Sequence, residues 1–347
     1  MNIKINKVTL KNIFLFIIFL MFLPRISFSQ NEELFSKNLN LSAEISIDFK
    51  KLYKNTNDST FIKTQMIYAS ASDATHDTIT IKVRVRGNFR KRICYFKPMK
   101  IKISKKHANN TIFENFRTLK LVVPCQNQNN KDELIYKEWM AYKLYEKFSS
   151  VHLKTQPLTL KIIEIKGNKK IEHNMFAFLV EDNSKVAKRI NAKKFPDRRV
   201  SPFAVADSSA INFALFSYMI GNTDWSMAYQ HNIEMLYLNT RLIAVPYDFD
   251  HSGLVNAPYA KPNSILNISS VTERVYRGLC NRDANMFQTI RSRYINQYDN
   301  IQSTINSFKE KISEKEFNRI KIYIEEFYDI LRSDLLFKKH ILDKCRG

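Results

Sequence analysis

Thr78-Ile79-Thr80-Ile81-Lys82-Val83-Arg84-Val85-Arg86-Gly87-Asn88 places an apolar residue at every second position and a polar or charged one between. Side chains of an extended strand point alternately to its two faces. This period of two therefore predicts a β-strand with one face in a core and one in water. Gly87-Asn88 ends it as a turn. Upstream, residues 41–49 alternate in the same way. Downstream, Met99-Lys100-Ile101-Lys102-Ile103 and Leu119-Lys120-Leu121-Val122-Val123 read as two more strands, separated by a polar loop over 107–110.

The period lengthens over 132–148, where Leu134, Trp139, Met140, Tyr142, Leu144 and Tyr145 recur at helical spacing, with Asp132 as N-cap and Glu133 in the first turn. Residues 158–165 and 175–180 read as antiparallel strands about a Gly167-Asn168 turn. A polar, basic stretch over 185–202 reads as a connector. Residues 204–220 are apolar and helix-prone, and 233–238 and 241–245 form a hairpin about Asn239-Thr240. From Ala284 onward, apolar residues at helical spacing (Ile320, Ile324, Phe327, Leu331, Leu335) predict two or three helices. This order predicts an α+β protein: a leader over 1–29, a β-rich N-lobe with one helix over 30–182, and a mainly helical C-lobe over 183–347.

The leader rests on Lys4, Lys7 and Lys11, the apolar run 13–23, and Ser27-Phe28-Ser29 before Gln30. That is the layout of a cleaved export signal, and the run is short of the roughly 20 apolar residues of a membrane span. An uncleaved N-terminal anchor is the alternative. The expectation is an exported, periplasmic, cell-surface or secreted protein without stable membrane insertion after cleavage. The rest is ordinary globular composition, 44% hydrophobic and 25% charged, with 25 Phe and 16 Tyr. The net charge of +22 suits polyanions, but the basic residues are spread along the chain, and an exported protein rarely meets nucleic acid, so none is expected as partner. Cys94, Cys125, Cys280 and Cys345 form no CxxC pair, which argues against zinc. Export permits disulfides, with Cys94–Cys125 the first pair to expect; free buried thiols are the alternative.

The chemistry lies in Met219-Ile220-Gly221-Asn222-Thr223-Asp224-Trp225, then His231-Asn232, then Tyr247-Asp248-Phe249-Asp250-His251-Ser252-Gly253. Two acidic turns flanked by apolar segments can converge. Phosphoryl transfer needs such a pair: one carboxylate to orient the attacking hydroxyl or water, others to hold a hard divalent cation on the phosphates. Either Asp alone is also a common turn or helix-cap residue. His231 and His251 lack an HExxH spacing and read as turn or supporting residues.

Several motifs together resemble the CotH-like (spore-coat-protein-H-type) kinases, in the exported form found in Bacteroidetes-type bacteria. Arg84-Val85-Arg86-Gly87-Asn88 and Lys97-Pro98-Met99-Lys100-Ile101-Lys102 look like that family's strand pair. Phe176-Ala177-Phe178-Leu179-Val180-Glu181 resembles its strand ending in Glu. Asn222-Thr223-Asp224-Trp225 resembles its catalytic loop, and Tyr247-Asp248-Phe249-Asp250 its metal-binding segment. The resemblance covers roughly 80–255. It implies an atypical protein-kinase-like fold, and ATP with Mg²⁺ or Mn²⁺ used to phosphorylate Ser/Thr hydroxyls of a protein substrate. It implies Asp224 as the catalytic residue, and Asp248, Asn232 and Asp250 as metal ligands. Lys102 or Lys120 would contact phosphates, Glu138 would pair with that lysine, and Glu181 would lie near the adenine. The chain departs from protein kinases in having Tyr229 where the metal Asn would stand, five residues after Asp224, and in lacking a GxGxxG loop. A catalytically inactive surface adhesin or envelope-binding module, and a metal-dependent phosphohydrolase, are the alternative functions.

Overall fold

A computed structural model describes residues 34–35, 39–70, 76–128 and 130–347; the expected leader lies outside them. Seven strands come first: β1 (Leu41–Ile47), β2 (Ile62–Ser70), β3 (Asp77–Val85), β4 (Met99–Ile103), β5 (Thr118–Val122), β6 (Thr155–Lys166) and β7 (Lys169–Glu181). They close into a barrel in the order β1-β2-β3-β4-β5-β7-β6. Neighbours pair antiparallel except at the closure, where β1 runs parallel to β6 from Leu41 opposite Leu158 to Ile47 opposite Glu164. The alternation read from the sequence supplies the interior: Ile45, Ile81, Val83, Ile101, Leu121, Leu160, Ile162 and Ala177 are buried in one cluster.

This closure corrects the expected fold. A kinase-like N-lobe is an open sheet, whereas here β1 reaches across to β6 and seals the remaining edge. The reason is energetic. An open edge would leave a row of unpaired N–H and C=O groups, and pairing β1 on both sides, to β2 and to β6, removes it. The architecture is a closed barrel with helices, not a bilobed kinase fold.

Three short helices link the strands: α1 (Phe49–Asn55), α2 (Arg90–Ile93) and α3 (Lys105–Ala108). A longer one, α4 (Lys131–Tyr145), joins β5 to β6. Its N-cap is Asn130, two residues ahead of the expected Asp132, and Asp132 and Glu133 occupy its first turn. Beyond the barrel come α5 (Asn183–Arg189), β8 (Lys193–Lys194), α6 (Asp207–Met219), and the expected hairpin of β9 (Ile233–Leu238) and β10 (Arg241–Pro246), with Asn239 at φ +54 in its turn. The chain ends in α7 (Ala284–Asn296), α8 (Tyr298–Asn306), α9 (Glu314–Arg332) and α10 (Asp334–His340). The expected connector over 185–202 is thus partly ordered into α5 and β8.

The helix α6 is buried from Ala210 to Met219 on all sides, which explains an apolar run without amphipathic spacing. The outer face of β7 (Phe178, Val180) joins α4, α6 and the C-terminal helices in a second core. Both pairs of cysteines are disulfide-bonded, Cys94–Cys125 and Cys280–Cys345. No helix among the described residues is long and apolar enough to cross a membrane.

Candidate active site

Main-chain hydrogen bonds bring the two acidic turns together. Past the end of α6, Gly221 adopts φ +62, where a side chain is strained, and a Cβ there would run into the Tyr323 hydroxyl. That glycine lets the chain turn sharply into 222–225. Its carbonyl accepts the Gly253 N–H at 3.1 Å, and the Ile220 carbonyl accepts the Leu254 N–H at 2.9 Å. The segment after Asp248 is therefore stitched to the segment before Asp224. Between the two Asp of the second turn, Phe249 is fully buried and packs on Tyr142, ring centroids 4.8 Å apart. Burying such a ring stabilises by about 1.5–3 kcal/mol, which holds the flanking carboxylates in place. The Asp248 N–H donates to the Tyr142 hydroxyl at 2.9 Å.

Asp224 stands at the meeting point. Its Oδ1 lies 3.0 Å from His231 Nε2, and its Oδ2 accepts from Asn232 Nδ2 at 3.0 Å. The same Asn232 amide nitrogen also donates to the Asp224 carbonyl at 2.8 Å. The loop is tied from outside by Arg277, which donates to the Thr223 and Trp225 carbonyls. Burial works to raise the Asp224 carboxyl, but the His231 hydrogen bond and charge, with His251 and Asn232, hold it below its ordinary value. His231 is raised, first by its bond to Asp224. Asp224 is thus an ionised carboxylate, partly exposed, at the mouth of two cavities.

The first cavity, about 330 Å³, has Asp224, Asn232, Asp248, Asp250, Glu138 and Lys120 in its walls. It falls at the low end of the roughly 300–1,000 Å³ of small-molecule sites. Deep in it, the buried Arg90 guanidinium faces Glu138 at 3.2 Å and Asp250 at 3.8 Å, and donates to the Val123 carbonyl. One cation thus faces two buried carboxylates, with Asp248 as a third nearby. Burial is the main cause of the strain on them. It pushes Glu138 up to about 8 and Asp250 up to about 6; Arg90 opposes the rise in both, and the charge of Asp248 adds to it.

Lys120 closes the opposite wall. Its ammonium donates to Asn183 Oδ1 at 3.0 Å and sits 4.2 Å from the Tyr247 ring centre. Burial, then Arg86, bring it down to about 7. It continues a ladder of cations on the outer face of the barrel, in which Lys82 lies opposite Lys102, Arg84 opposite Lys100, and Lys100 opposite Lys120. Like charges directly across a sheet cost stability. Asp58 and Asp182 pair with the ladder, at 3.2 Å from Arg84 and 3.7 Å from Lys100, and the charges of Glu234 and Asp248 act on Lys120.

The eight residues singled out from sequence therefore divide as follows. Asp224, Asn232, Asp248, Asp250, Lys120 and Glu138 share one cavity. Glu181 does not: it is buried against the Lys154 N–H and Arg189, at 2.8 and 2.7 Å, and serves to pin the end of β7. Lys102 also lies away, over the Phe61 ring. The expected pairing of Glu138 with a lysine is replaced by Arg90. Arg90, Tyr142 and Arg277 were not anticipated. Arg90 follows Gly87-Asn88-Phe89 directly, and that adjacency was the one local signal available. Compared with models of known protein families and with curated proteins, the chain matches none.

Among the described residues no three His, Cys, Asp or Glu side chains gather into a metal-holding group. The chemistry of the donor set nevertheless fits a hard divalent cation. Oxygen donors predominate, and one guanidinium leaves the buried carboxylates with surplus negative charge that such an ion would neutralise.

Proposed function

We propose that this protein is an exported phosphotransferase, related in its chemistry to the CotH-like kinases, that moves the γ-phosphate of ATP to Ser/Thr hydroxyls of a protein substrate. The observation that carries this reading is the convergence of Asp224, the Asp248/Asp250 turn and Lys120 on one cavity. The proposal concerns the site and not a kinase-like fold, which the closed barrel replaces.

In this reading Lys120, with Arg86 beside it, receives the phosphates. A phosphate there would offset the cost of the like-charged ladder and restore Lys120 to its charged form. Asp248 and Asp250 would hold Mg²⁺ or Mn²⁺, with the Asn232 amide oxygen as a further donor. The ion would neutralise the charge that develops on the phosphates. Asp224 orients the acceptor hydroxyl. The hydroxyl oxygen forms the new bond to the γ-phosphorus as the bond to the β–γ bridging oxygen breaks. ADP leaves, and the hydroxyl proton passes to the Asp224 carboxylate. His231 and Asn232 keep that carboxylate in a fixed orientation. The two disulfides accord with export into an oxidising compartment.

The test is incorporation of label from γ-labelled ATP with Mg²⁺ into a Ser/Thr-rich protein mixture. Asp224→Asn and Asp248→Asn, folded by circular dichroism, should each lose at least about 100-fold of the rate. Release of free phosphate without labelled protein would replace the transferase by a phosphohydrolase. Neither labelling nor ATP binding would end the proposal.

A further inference from the structure

A second, larger cavity of about 760 Å³ opens on the other side of Asp224 and shares Asp224, Tyr229 and His231 with the first. Its walls include Trp225, Met227, Ile265, Arg277, Leu279 and Arg346. Two properties stand out. The rim carries large side chains in water: Ile265 is 89% exposed and Tyr229 62%. The floor carries two guanidiniums satisfied by neutral carbonyls. Arg277 donates to the Thr223 and Trp225 carbonyls, and Arg346 donates to the Arg277 carbonyl. Arg277 Nε is buried with no hydrogen-bond partner among the described residues. Burial, then the charge of Arg346, lower Arg277 to about 10, and the nearby Asp224 carboxylate opposes them only in part. Arg282, in the same walls, differs: Asp207 pairs with it at 2.5 Å.

We infer that this cavity is the seat of an extended acidic acceptor peptide. Its Ser/Thr hydroxyl lies at Asp224, a neighbouring Asp or Glu lies over Arg277 and Arg346, and an apolar side chain rests on Ile265. The inference rests on the phosphotransfer reading for what happens at Asp224. The peptide class rests on the groove itself: guanidiniums whose hydrogen bonds go to neutral carbonyls, an exposed apolar rim, and direct continuity with the carboxylate that would receive the hydroxyl proton. A carboxylate is the ligand that guanidinium donors recognise most strongly. The basic net charge of the chain, +22, steers such a partner toward it.

The experiment is fluorescence anisotropy of the full chain with two labelled peptides that share a central Ser, one flanked by Glu and Asp and the other by Lys and Arg. Binding is measured without ATP, so it does not depend on turnover. The acidic peptide should bind about tenfold or more tightly than the basic one, and lose most of that advantage at high salt. Arg346→Glu should reduce the preference severalfold. So should Ile265→Asp, which sits in water and puts an acid on the rim without touching the core. Both variants should bind ATP as the parent does. Equal binding of the two peptides, or binding unmoved by either variant, overturns the proposal. The two readings fail separately. Labelling of Ser peptides with no acidic preference sinks the groove and leaves the transferase. Selective binding of the acidic peptide with no transfer of label sinks the transferase and leaves the groove.

Discussion

Asp224 Oδ1 and His231 Nε2 lie 3.0 Å apart, and each holds the other in its charged form. For His231, whose folded value is raised, the pair's contribution is complete below the ordinary histidine value and is lost as pH rises through the folded value. For Asp224, whose folded value is depressed, the contribution is present above the ordinary aspartate value and is lost as pH falls through the folded value. Both side chains are partly exposed, so the pair is worth no more than about 1 kcal/mol to stability. Its larger effect falls on rate. While His231 is charged it competes with the acceptor hydroxyl for Asp224. The rate of label incorporation should therefore climb as pH passes above the ordinary histidine range, and His231→Asn should flatten that climb. A pH profile of kcat unchanged by His231→Asn would show that the imidazole plays no part.

Asp248 adopts φ +64, a left-handed conformation that costs a non-glycine residue on the order of 1 kcal/mol. Asp248→Gly removes the carboxylate and relieves the backbone together. Stability to urea should stay level or rise by up to about 1 kcal/mol, while phosphotransfer is lost. Loss of stability comparable to that of a core variant would mean that the carboxylate holds the fold and not a ligand.

Glu138 and Asp250 are both raised, to about 8 and about 6, chiefly by burial. A carboxyl raised in the folded state is protonated more readily there than in the unfolded chain. Stability should therefore fall as pH rises from the ordinary carboxylate range through those two values. A divalent cation held by Asp248 and Asp250 favours the ionised form of Asp250 and, through its charge, of the neighbouring Glu138, and should reduce the fall. Chemical denaturation at about pH 5 and pH 8, with and without Mg²⁺, checks this. Equal pH dependence with and without the ion would count against a metal at these carboxylates.

The Cys94–Cys125 disulfide ties the residue after α2 to the segment beyond β5, and the Tyr95 N–H donates to the Cys125 carbonyl at 2.8 Å. Arg90, four residues before Cys94, reaches the Val123 carbonyl and Glu138 from this clamped segment. Replacing both cysteines by serine should cost about 2–4 kcal/mol. It should also weaken ATP binding more than the matching change at Cys280 and Cys345, which lies apart from Arg90. Equal losses of ATP affinity from both pairs would deny the first disulfide a role in placing Arg90.

Local order was legible wherever one period persisted. Met99 to Ile103 and the β9–β10 hairpin about Asn239 stand as read, because alternation and turn chemistry are properties of neighbouring residues. Residues 62–70 were not read as a strand. The first half of β2 is half in water, so its alternation is blurred. The acidic turns were legible as composition, since Asp224, Asp248 and Asp250 cluster within a short stretch between apolar segments. What only the tertiary structure decided is who meets whom. β1 closes the barrel on β6, far along the chain; Arg90, not a lysine, takes Glu138; and Glu181 turns away from the cavity to Arg189. Strand pairing across long loops and the partner of a buried charge depend on which surfaces collapse together. A sequence records the donors, acceptors and apolar faces, and folding chooses among the many matches they permit by the burial each one allows.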